Sequence, residues 1–195
     1  MRVAVLVSGT GTILDAMLHR GVPVSLVLSD RPCAGLDVAA RSGVESSLVD
    51  RRAFGGFGGS FERRAYTVAV SEALIANQVD LVAMAGFGTV FDQPVHDAFA
   101  GRILNTHPSL LPAFPGWHAV EAALQAGVKV TGCTVHLATL GMDAGPILAQ
   151  ESVSVFEQDT VETLHERIKE VERRIYPETV LKVLAELATS GRNER

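Results

Sequence analysis

The chain has 195 residues, 47% of them hydrophobic and 20% charged, and this composition excludes a disordered protein. A formal net charge of −5 argues against a general nucleic-acid binder, which would carry a basic face. Cys33 and Cys133 form no C-x-x-C pair, which argues against a zinc ribbon or a thioredoxin-like site. We expect one cytoplasmic domain over residues 1–195 with no membrane span, reduced thiols and a disordered tail at 190–195.

Strand and helix patterns alternate along the first half of the chain. Short apolar runs that end in turn residues predict buried strands at 3–7, 22–28, 45–49 and 79–84. Apolar residues at helical spacing predict helices at 12–18, 36–41, 61–76 and 92–99. Between them, F-G-G-F-G-G-S at 54–60 predicts a surface loop, with a mobile flap beside a pocket as the alternative.

The second half contains the irregular part of the chain. A short strand is predicted at 102–104, and three prolines predict that residues 105–116 have no regular structure. Further elements are predicted as a helix at 119–126, strands at 128–137 and 147–155, and a tight turn at 141–145. An amphipathic pattern at 160–187 predicts a long helix that Pro177 interrupts.

This alternation predicts an α/β fold, a doubly wound and mostly parallel sheet with helices on both faces. Such sheets bind ligands at the carboxyl ends of their strands. The unusual sequences fall there: S-G-T-G-T follows the first strand, A-G-F-G-T the fourth and N-T-H-P the fifth.

The turn at Ser8–Thr12 joins a strand to a helix and is built from small residues. Backbone N–H groups at a helix start can bind a phosphate. The dinucleotide pattern G-x-G-x-x-G is incomplete, because Leu14 stands at the third glycine, and no Walker G-K-[ST] follows. The turn therefore predicts a site for a single phosphate, or a tight turn without a ligand.

Asn105, His107 and Asp143 are the candidates for catalysis. Asn105 and His107 lie two residues apart beside a proline-rich loop, where an amide and an imidazole can converge on one oxyanion. Asp143 lies in the turn G-M-D-A-G and is either structural or a partner of His107. In the second case it would favour the imidazolium and raise the pKa of His107.

The remaining histidines give weaker signals. His118 and His136 flank the candidate site and are predicted to be either supporting hydrogen-bond partners or partly buried residues. Surface positions are predicted for His19, His96 and His165. No grouped His, Cys and carboxylate pattern indicates a metal, and no G-x-S-x-G indicates a serine hydrolase.

These motifs resemble those of the folate-dependent formyltransferases. The run I-L-N-T-H-P-S-L-L-P-A-F-P-G at 103–116 is similar to the signature of that family. Four further runs stand in the matching order: V-L-V-S-G-T-G-T at 5–12, L-V-A-M-A-G-F at 81–87, V-T-G-C-T-V-H at 130–136 and D-A-G-P-I-L at 143–148. The S-G-x-G opening, the length and E-R-R-I-Y-P at 172–177 are most similar to the branch that acts on 5-phosphoribosylglycinamide.

The resemblance implies transfer of a formyl group from 10-formyltetrahydrofolate, the co-substrate, to an amine in purine synthesis, without ATP or a metal. Asn105 and His107 would stabilise the tetrahedral intermediate, with Asp143 keeping His107 protonated. It assigns the ribonucleotide to Gly11, Thr12, Ile13 and Glu172. It assigns the folate to Arg63 (or Arg64 if the register is off by one), Gly88, Thr89, Val90, Phe91 and Asn105. The protein is expected to bind small-molecule substrates and neither nucleic acid nor a membrane. It is expected to be a monomer or a homodimer.

The chain departs from the family pattern at three places. Thr12-Ile13 replace the usual Ser-Asn, so a phosphate contact at Ile13 must come from its backbone N–H. Gly88-Thr89-Val90-Phe91 replace the usual M-R-[IL]-[LI], and the glycine-rich run 55–59 is also unusual. These changes bear on substrate affinity more than on the class of reaction.

Three alternatives share parts of the pattern. Methionyl-tRNA formyltransferase adds a basic C-terminal domain and formyltetrahydrofolate deformylase an N-terminal one, and 195 residues are expected to leave room for neither. A non-catalytic nucleotide-binding domain would explain the S-G-T-G turn. It would leave the N-x-H-P and D-A-G motifs unexplained.

Overall fold

The computed structural model describes residues 1–193 and contains a seven-stranded sheet. Its strands are β1 (Val3–Val7), β2 (Val24–Ser29), β3 (Ser46–Leu48), β4 (Leu81–Met84), β5 (Ile103–His107), β6 (Val130–Leu137) and β7 (Ile147–Ser154). They lie in the order β3-β2-β1-β4-β5-β6-β7. Strands β1 to β5 are parallel, and β6 is antiparallel to both β5 and β7. The predicted α/β fold with a mostly parallel sheet is confirmed.

Helices cover both faces of the sheet. They are α1 (Thr12–His19), α2 (Ala34–Arg41), α3 (Arg63–Ala76), α4 (Gln93–Ala98), α5 (Ala119–Gln125) and α6 (Val161–Asn193), with a short 3-10 helix at Arg51–Phe54. Successive side chains of β1 point to opposite faces, so Val5 packs with α1, α2, α5 and α6, whereas Leu6 packs with α3 and α4. All five residues of β1 are buried, as a parallel strand between two helical layers requires.

Strand β5 is longer than the sequence predicts. Regular structure continues through Asn105, Thr106 and His107, which pair with His136, Val135 and Thr134 of β6 in the antiparallel register. These three polar residues do not show the apolar pattern of a strand, but β6 supplies hydrogen-bond partners for their backbone. The predicted irregular segment therefore begins after His107.

Helix α6 is the second difference, because it runs through Pro177 without interruption. A proline inside a helix costs about 3 kcal/mol or more, since it removes a backbone hydrogen bond. Ile175, Tyr176 and Val180 are buried against the sheet on either side of it, and each such side chain contributes roughly 1.5–3 kcal/mol. Packing therefore outweighs the local penalty.

The other predicted strands and helices are present, with their ends displaced by at most two residues. In place of the predicted disordered tail, residues 190–193 continue α6, and 194–195 lie outside the described residues. None of the described helices has the length and apolar character that crossing a membrane requires.

The strand order creates a crevice. Strand β1 lies between β2 and β4, so the chain leaves β1 towards one edge of the sheet and leaves β4 towards the other. The segments after β1 and β4 diverge at their carboxyl ends, which is where doubly wound sheets bind ligands.

Candidate active site

A cavity of about 420 Å³ occupies this crevice. It is lined by the segments that follow β1 and β4, by the end of β5, and by parts of β6, the turn after it and α6. Its volume lies in the range of small-molecule sites. Eleven of the twelve residues assigned to the site from the sequence line it: Gly11, Thr12, Ile13, Gly88, Thr89, Val90, Phe91, Asn105, His107, Asp143 and Glu172.

The turn after β1 presents backbone groups to the cavity. Gly11 has a φ of +76°, and a Cβ there would lie 2.7 Å from the Cα of Gly35, so this position needs glycine. No side chain caps the start of α1, which leaves its first N–H groups available to an anion. The side chain of Ile13 is buried in the core, so Ile13 can contribute only its backbone, as the sequence predicts.

The opposite wall is the segment after β4. The N–H of Gly88 donates to Ser8 Oγ at 2.9 Å, which links the segments after β4 and β1 across the crevice. Thr89 and Phe91 are buried and face the cavity with Gly88 and Val90. Arg63, the first residue of α3, is exposed and does not line the cavity.

His107 is held between two oxygen acceptors. Its Nε2 lies 2.8 Å from the carbonyl oxygen of Phe114, and its Nδ1 lies 3.3 Å from Asp143 Oδ2. A carbonyl and a carboxylate oxygen can only accept, so the two oxygens lie where donors on the ring would be oriented. Phe114 and Asp143 both have a φ of +52°, an uncommon conformation for residues other than glycine. The two residues that fix the ring are therefore in strained turns.

Three groups surround the carboxylate of Asp143. Besides His107, the N–H of Gly116 donates to Oδ2 at 2.8 Å, and His136 Nε2 lies 3.6 Å from Oδ1. Desolvation opposes the charge of Asp143, but hydrogen bonds from His136 and Gly116 and the charge of His107 together lower the pKa of the carboxyl group. Asp143 is thus suited to be an anion that orients two imidazoles.

His136 joins Asn105 to this cluster. Its Nδ1 lies 2.9 Å from the carbonyl oxygen of Leu137, and its Nε2 lies 3.3 Å from Asn105 Nδ2. The amide of Asn105 therefore lies against the imidazole ring that also contacts Asp143, which fixes its position relative to the cluster. The cross-strand pairing of β5 with β6 places these two residues directly opposite each other.

Helix α6 supplies the remaining side of the cavity. His165, Lys169 and Glu172 line it at the spacing i, i+4 and i+7, which is one helix face. Burial raises the pKa of Glu172 to about 7, although a hydrogen bond from Thr106 and the charges of Lys169 and Arg173 act in the opposite direction. A carboxyl group in this state can accept or donate a hydrogen bond near neutral pH.

Several cavity residues were not assigned from the sequence. His96 and His165 line the cavity instead of lying freely on the surface, and Lys169 and Trp117 were not singled out. The i, i+4, i+7 pattern on α6 was available in the sequence as a signal for His165 and Lys169. The sequence left open whether His118 and His136 support the site. His136 lies beside Asp143 in the site, whereas His118 is exposed beside Glu121.

Within residues 1–193, no group of three or more His, Cys, Asp and Glu side chains is placed to hold a metal ion. The polar side chains that line the cavity instead include one amide, four imidazoles, two carboxylates and the amine of Lys169. Such a set can donate hydrogen bonds to an oxyanion and move a proton.

Residues 1–180 match the family model described as formyl transferase. The chain belongs to the formyl transferase family. A phosphoribosylglycinamide formyltransferase from Mycobacterium tuberculosis (strain CDC 1551 / Oshkosh) is 45% identical over 195 residues, covering 97% of this chain and 86% of the relative. The formyl transferase match includes every segment that lines the cavity.

Two solved structures of such enzymes have the same fold. A glycinamide ribonucleotide transformylase 1 from Symbiobacterium toebii has 46% identity and a TM-score of 0.85, covering 92% of this chain and 85% of the other. A phosphoribosylglycinamide formyltransferase from Bacillus halodurans has 39% identity and a TM-score of 0.88, covering 96% and 97%. The similarity therefore extends over nearly the whole formyl transferase chain in both cases.

Proposed function

We propose that this protein transfers the formyl group of 10-formyltetrahydrofolate to the amine of 5-phosphoribosylglycinamide in purine synthesis. The observation that carries the proposal is the cluster of Asn105, His107 and Asp143 in one cavity of a chain with extensive similarity to enzymes of that name. The motif order that resembles this branch of the family supports the same assignment.

The first step is attack of the substrate amine on the formyl carbon. A C–N bond forms, and the formyl oxygen becomes the oxyanion of a tetrahedral intermediate. The amide of Asn105 and the imidazolium of His107 donate to this oxyanion, and losing one such donor typically costs about 10²–10³ in turnover. Donation by His107 requires that the substrate oxygen replaces the Phe114 carbonyl, which accepts from Nε2 in this structure.

The second step is collapse of the intermediate. The bond between the formyl carbon and N10 of the folate breaks, the amine loses a proton, and N10 gains one. His107 gives the proton, and a bound water carries the amine proton back to complete the exchange. The pair with Asp143 favours the protonated ring before each turnover. Neither ATP nor a metal is required, because the donor is already an N-acyl compound.

The two substrates approach from different walls of the cavity. The N–H groups of Gly11, Thr12 and Ile13 at the start of α1 suit the phosphate, and Glu172 suits the polar groups of the ribonucleotide. Gly88 to Phe91 form the wall for the folate ring. Arg63 is proposed to meet the folate outside the cavity, where its position on the surface leaves it available to a carboxylate.

A spectrophotometric assay of folate release tests the proposal. We expect release from 10-formyltetrahydrofolate, or from a dideaza analogue, that requires 5-phosphoribosylglycinamide and continues without ATP and with a chelator present. Release that is independent of the ribonucleotide would indicate a deformylase instead. No release, with the ribonucleotide still bound, would indicate a nucleotide-binding domain without this activity.

A further inference from the structure

Two unusual segments of the chain meet at one arginine. Residues 55–59 are unusually rich in glycine, and Gly88-Thr89 replace Met-Arg of the family pattern. Arg51, in the 3-10 helix, donates through Nε to the carbonyl oxygen of Gly56 at 2.9 Å. Its Nη1 donates to the carbonyl oxygen of Gly88 at 3.1 Å and to Thr89 Oγ1 at 3.0 Å. One guanidinium thus connects the glycine-rich segment to the cavity wall.

An ion pair between the buried Asp30 and the partly exposed Arg31 supports the same wall. Asp30 is fully buried and accepts two hydrogen bonds from Arg31, at 2.9 and 3.0 Å. The hydroxyl of Thr89 lies 3.3 Å from Asp30 Oδ2, so it accepts from Arg51 and donates to Asp30. A Cβ on Gly88 would lie 3.4 Å from Nη2 of Arg31, so the wall is closely packed against this side chain.

Aromatic rings cover the two guanidinium groups. The Cζ of Arg31 lies 4.1 Å from the ring centroid of Phe57, and that of Arg51 lies 4.8 Å from the same ring. Phe61 stacks on Arg51 at 3.8 Å. Phe57 is 49% exposed, and contact with two cations accounts for an aromatic residue in this glycine-rich segment.

Arg51 differs in its partners from the arginine beside it. Among residues 1–193, no carboxylate lies within 4 Å of the Arg51 guanidinium, and its donors go to the wall and to the glycine-rich segment. Arg52 instead pairs with Asp50 at the surface and bonds to nothing in the cavity. The two residues are adjacent in sequence but have different environments, which provides a matched control.

We propose that Arg51 is a positioning residue for folate binding, which fixes Gly88 and Thr89 as the folate wall and fastens the glycine-rich segment to it. The inference rests on the proposed function, because it is that function that assigns this wall to the folate. Thr89 stands where the family pattern has an arginine. In this chain Arg51, which lies in the 3-10 helix, places its guanidinium against that position. The two departures from the pattern are coupled through this one side chain.

The test compares KM for the folate with KM for the ribonucleotide. Arg51→Met is expected to raise KM for 10-formyltetrahydrofolate roughly tenfold, because hydrogen bonds from a charged donor to the wall are lost. Turnover and KM for 5-phosphoribosylglycinamide are expected to stay within about twofold, since the start of α1 and Glu172 do not contact Arg51. Arg51→Lys should recover part of the loss, and Arg52→Met should leave both constants unchanged.

Thr89→Val extends the test to a double-mutant cycle. It should raise the folate KM less than Arg51→Met does, and the effects of the two substitutions should not add, because they remove one shared hydrogen bond. Unchanged constants in Arg51→Met, or equal rises for both substrates, would overturn the proposal.

Amide hydrogen exchange gives a readout that needs no activity. Exchange at residues 85–91 and 55–60 should be faster in Arg51→Met than in the unchanged chain or in Arg52→Met. Exchange that is the same in all three proteins would overturn the positioning role. Absence of formyl transfer by the unchanged chain, with faster exchange in Arg51→Met, would overturn the proposed function and leave the contact to the wall supported.

Discussion

In the proposed mechanism, Asp143 orients the imidazole of His107. A substitution that removes the charge of Asp143 and keeps its shape tests this role. Asp143→Asn keeps the shape of the side chain but cannot hold two imidazoles as an anion does. We expect turnover to fall by about 10² or more, because His107 loses the partner that favours its protonated form. The pKa of Asp143 is lowered, so the carboxylate stays ionised throughout the assay range.

The pH dependence identifies the cause of that loss. The pH profile of turnover, measured from pH 5 to pH 9, should differ between Asp143→Asn and the unchanged chain, because the substitution removes the charge beside His107. Asp37→Asn, on the exposed side of α2, is the control and should have the original profile. Equal profiles in all three proteins would show that Asp143 and His107 are not coupled.

Glu172 links the site to the stability of the fold. Burial raises its pKa to about 7 from the ordinary value of 4.5, so between these values the folded chain binds a proton that the unfolded chain has released. Stability must then fall as pH rises through this interval, by on the order of 3 kcal/mol. Glu172→Gln should remove this slope in urea unfolding, whereas Glu170→Gln, at an exposed position on the same helix, should retain it. A slope that survives in Glu172→Gln would contradict the assignment.

At the scale of elements, Tyr176 ties α6 to the strands that carry the site. Its buried hydroxyl lies 3.1 Å from the carbonyl oxygen of Met84, at the end of β4, and 2.9 Å from that of Leu104, in the first part of β5. The other tyrosine, Tyr66, is equally buried, but its hydroxyl has no hydrogen-bond partner among the described residues. The chain therefore contains a matched pair of tyrosines.

Tyr176→Phe should lower the free energy of unfolding by about 1–3 kcal/mol, because two carbonyl oxygens in the core lose the one hydroxyl proton that they share. Tyr66→Phe should be neutral or stabilising, since it removes a buried polar group that is not paired. Urea unfolding of both variants measures the difference. A larger loss in Tyr66→Phe would contradict the hydrogen-bond assignment.

The local sequence predicted most strands and helices, because the spacing of apolar residues and the positions of turn residues indicate the same elements. It failed at β5, where Asn105 and His107 look like loop residues and only pairing with β6 makes them a strand. It failed again at Pro177, where burial on the sheet outweighs a helix breaker. Asn105 and His107 were found from their chemistry, whereas Arg51 was not, because its role depends on a fold that brings residue 51 to residue 88.

At the scale of the whole molecule, the order of the strands determines how the substrates can meet. The segments after β1 and β4 leave neighbouring strands in opposite directions, and β5, on the far side of β4, contributes its end to the same cavity. In the proposed function, one continuous cavity would hold the phosphate at the turn after β1 and the folate at the wall after β4, and Asn105 and His107 line the same cavity. The layout favours direct transfer between two bound molecules.

Direct transfer has a kinetic consequence. If both substrates must be bound together, initial rates measured against one substrate at several fixed concentrations of the other should give intersecting reciprocal plots. A mechanism through a formylated enzyme would give parallel plots and would retain label when the chain is incubated with formyl-labelled folate alone. We expect intersecting plots and no retained label, because the Cys133 thiol is fully buried with its pKa raised to about 12 and does not line the cavity. Parallel plots with label on Lys169, the cavity amine on α6, would show instead that the protein carries the formyl group itself.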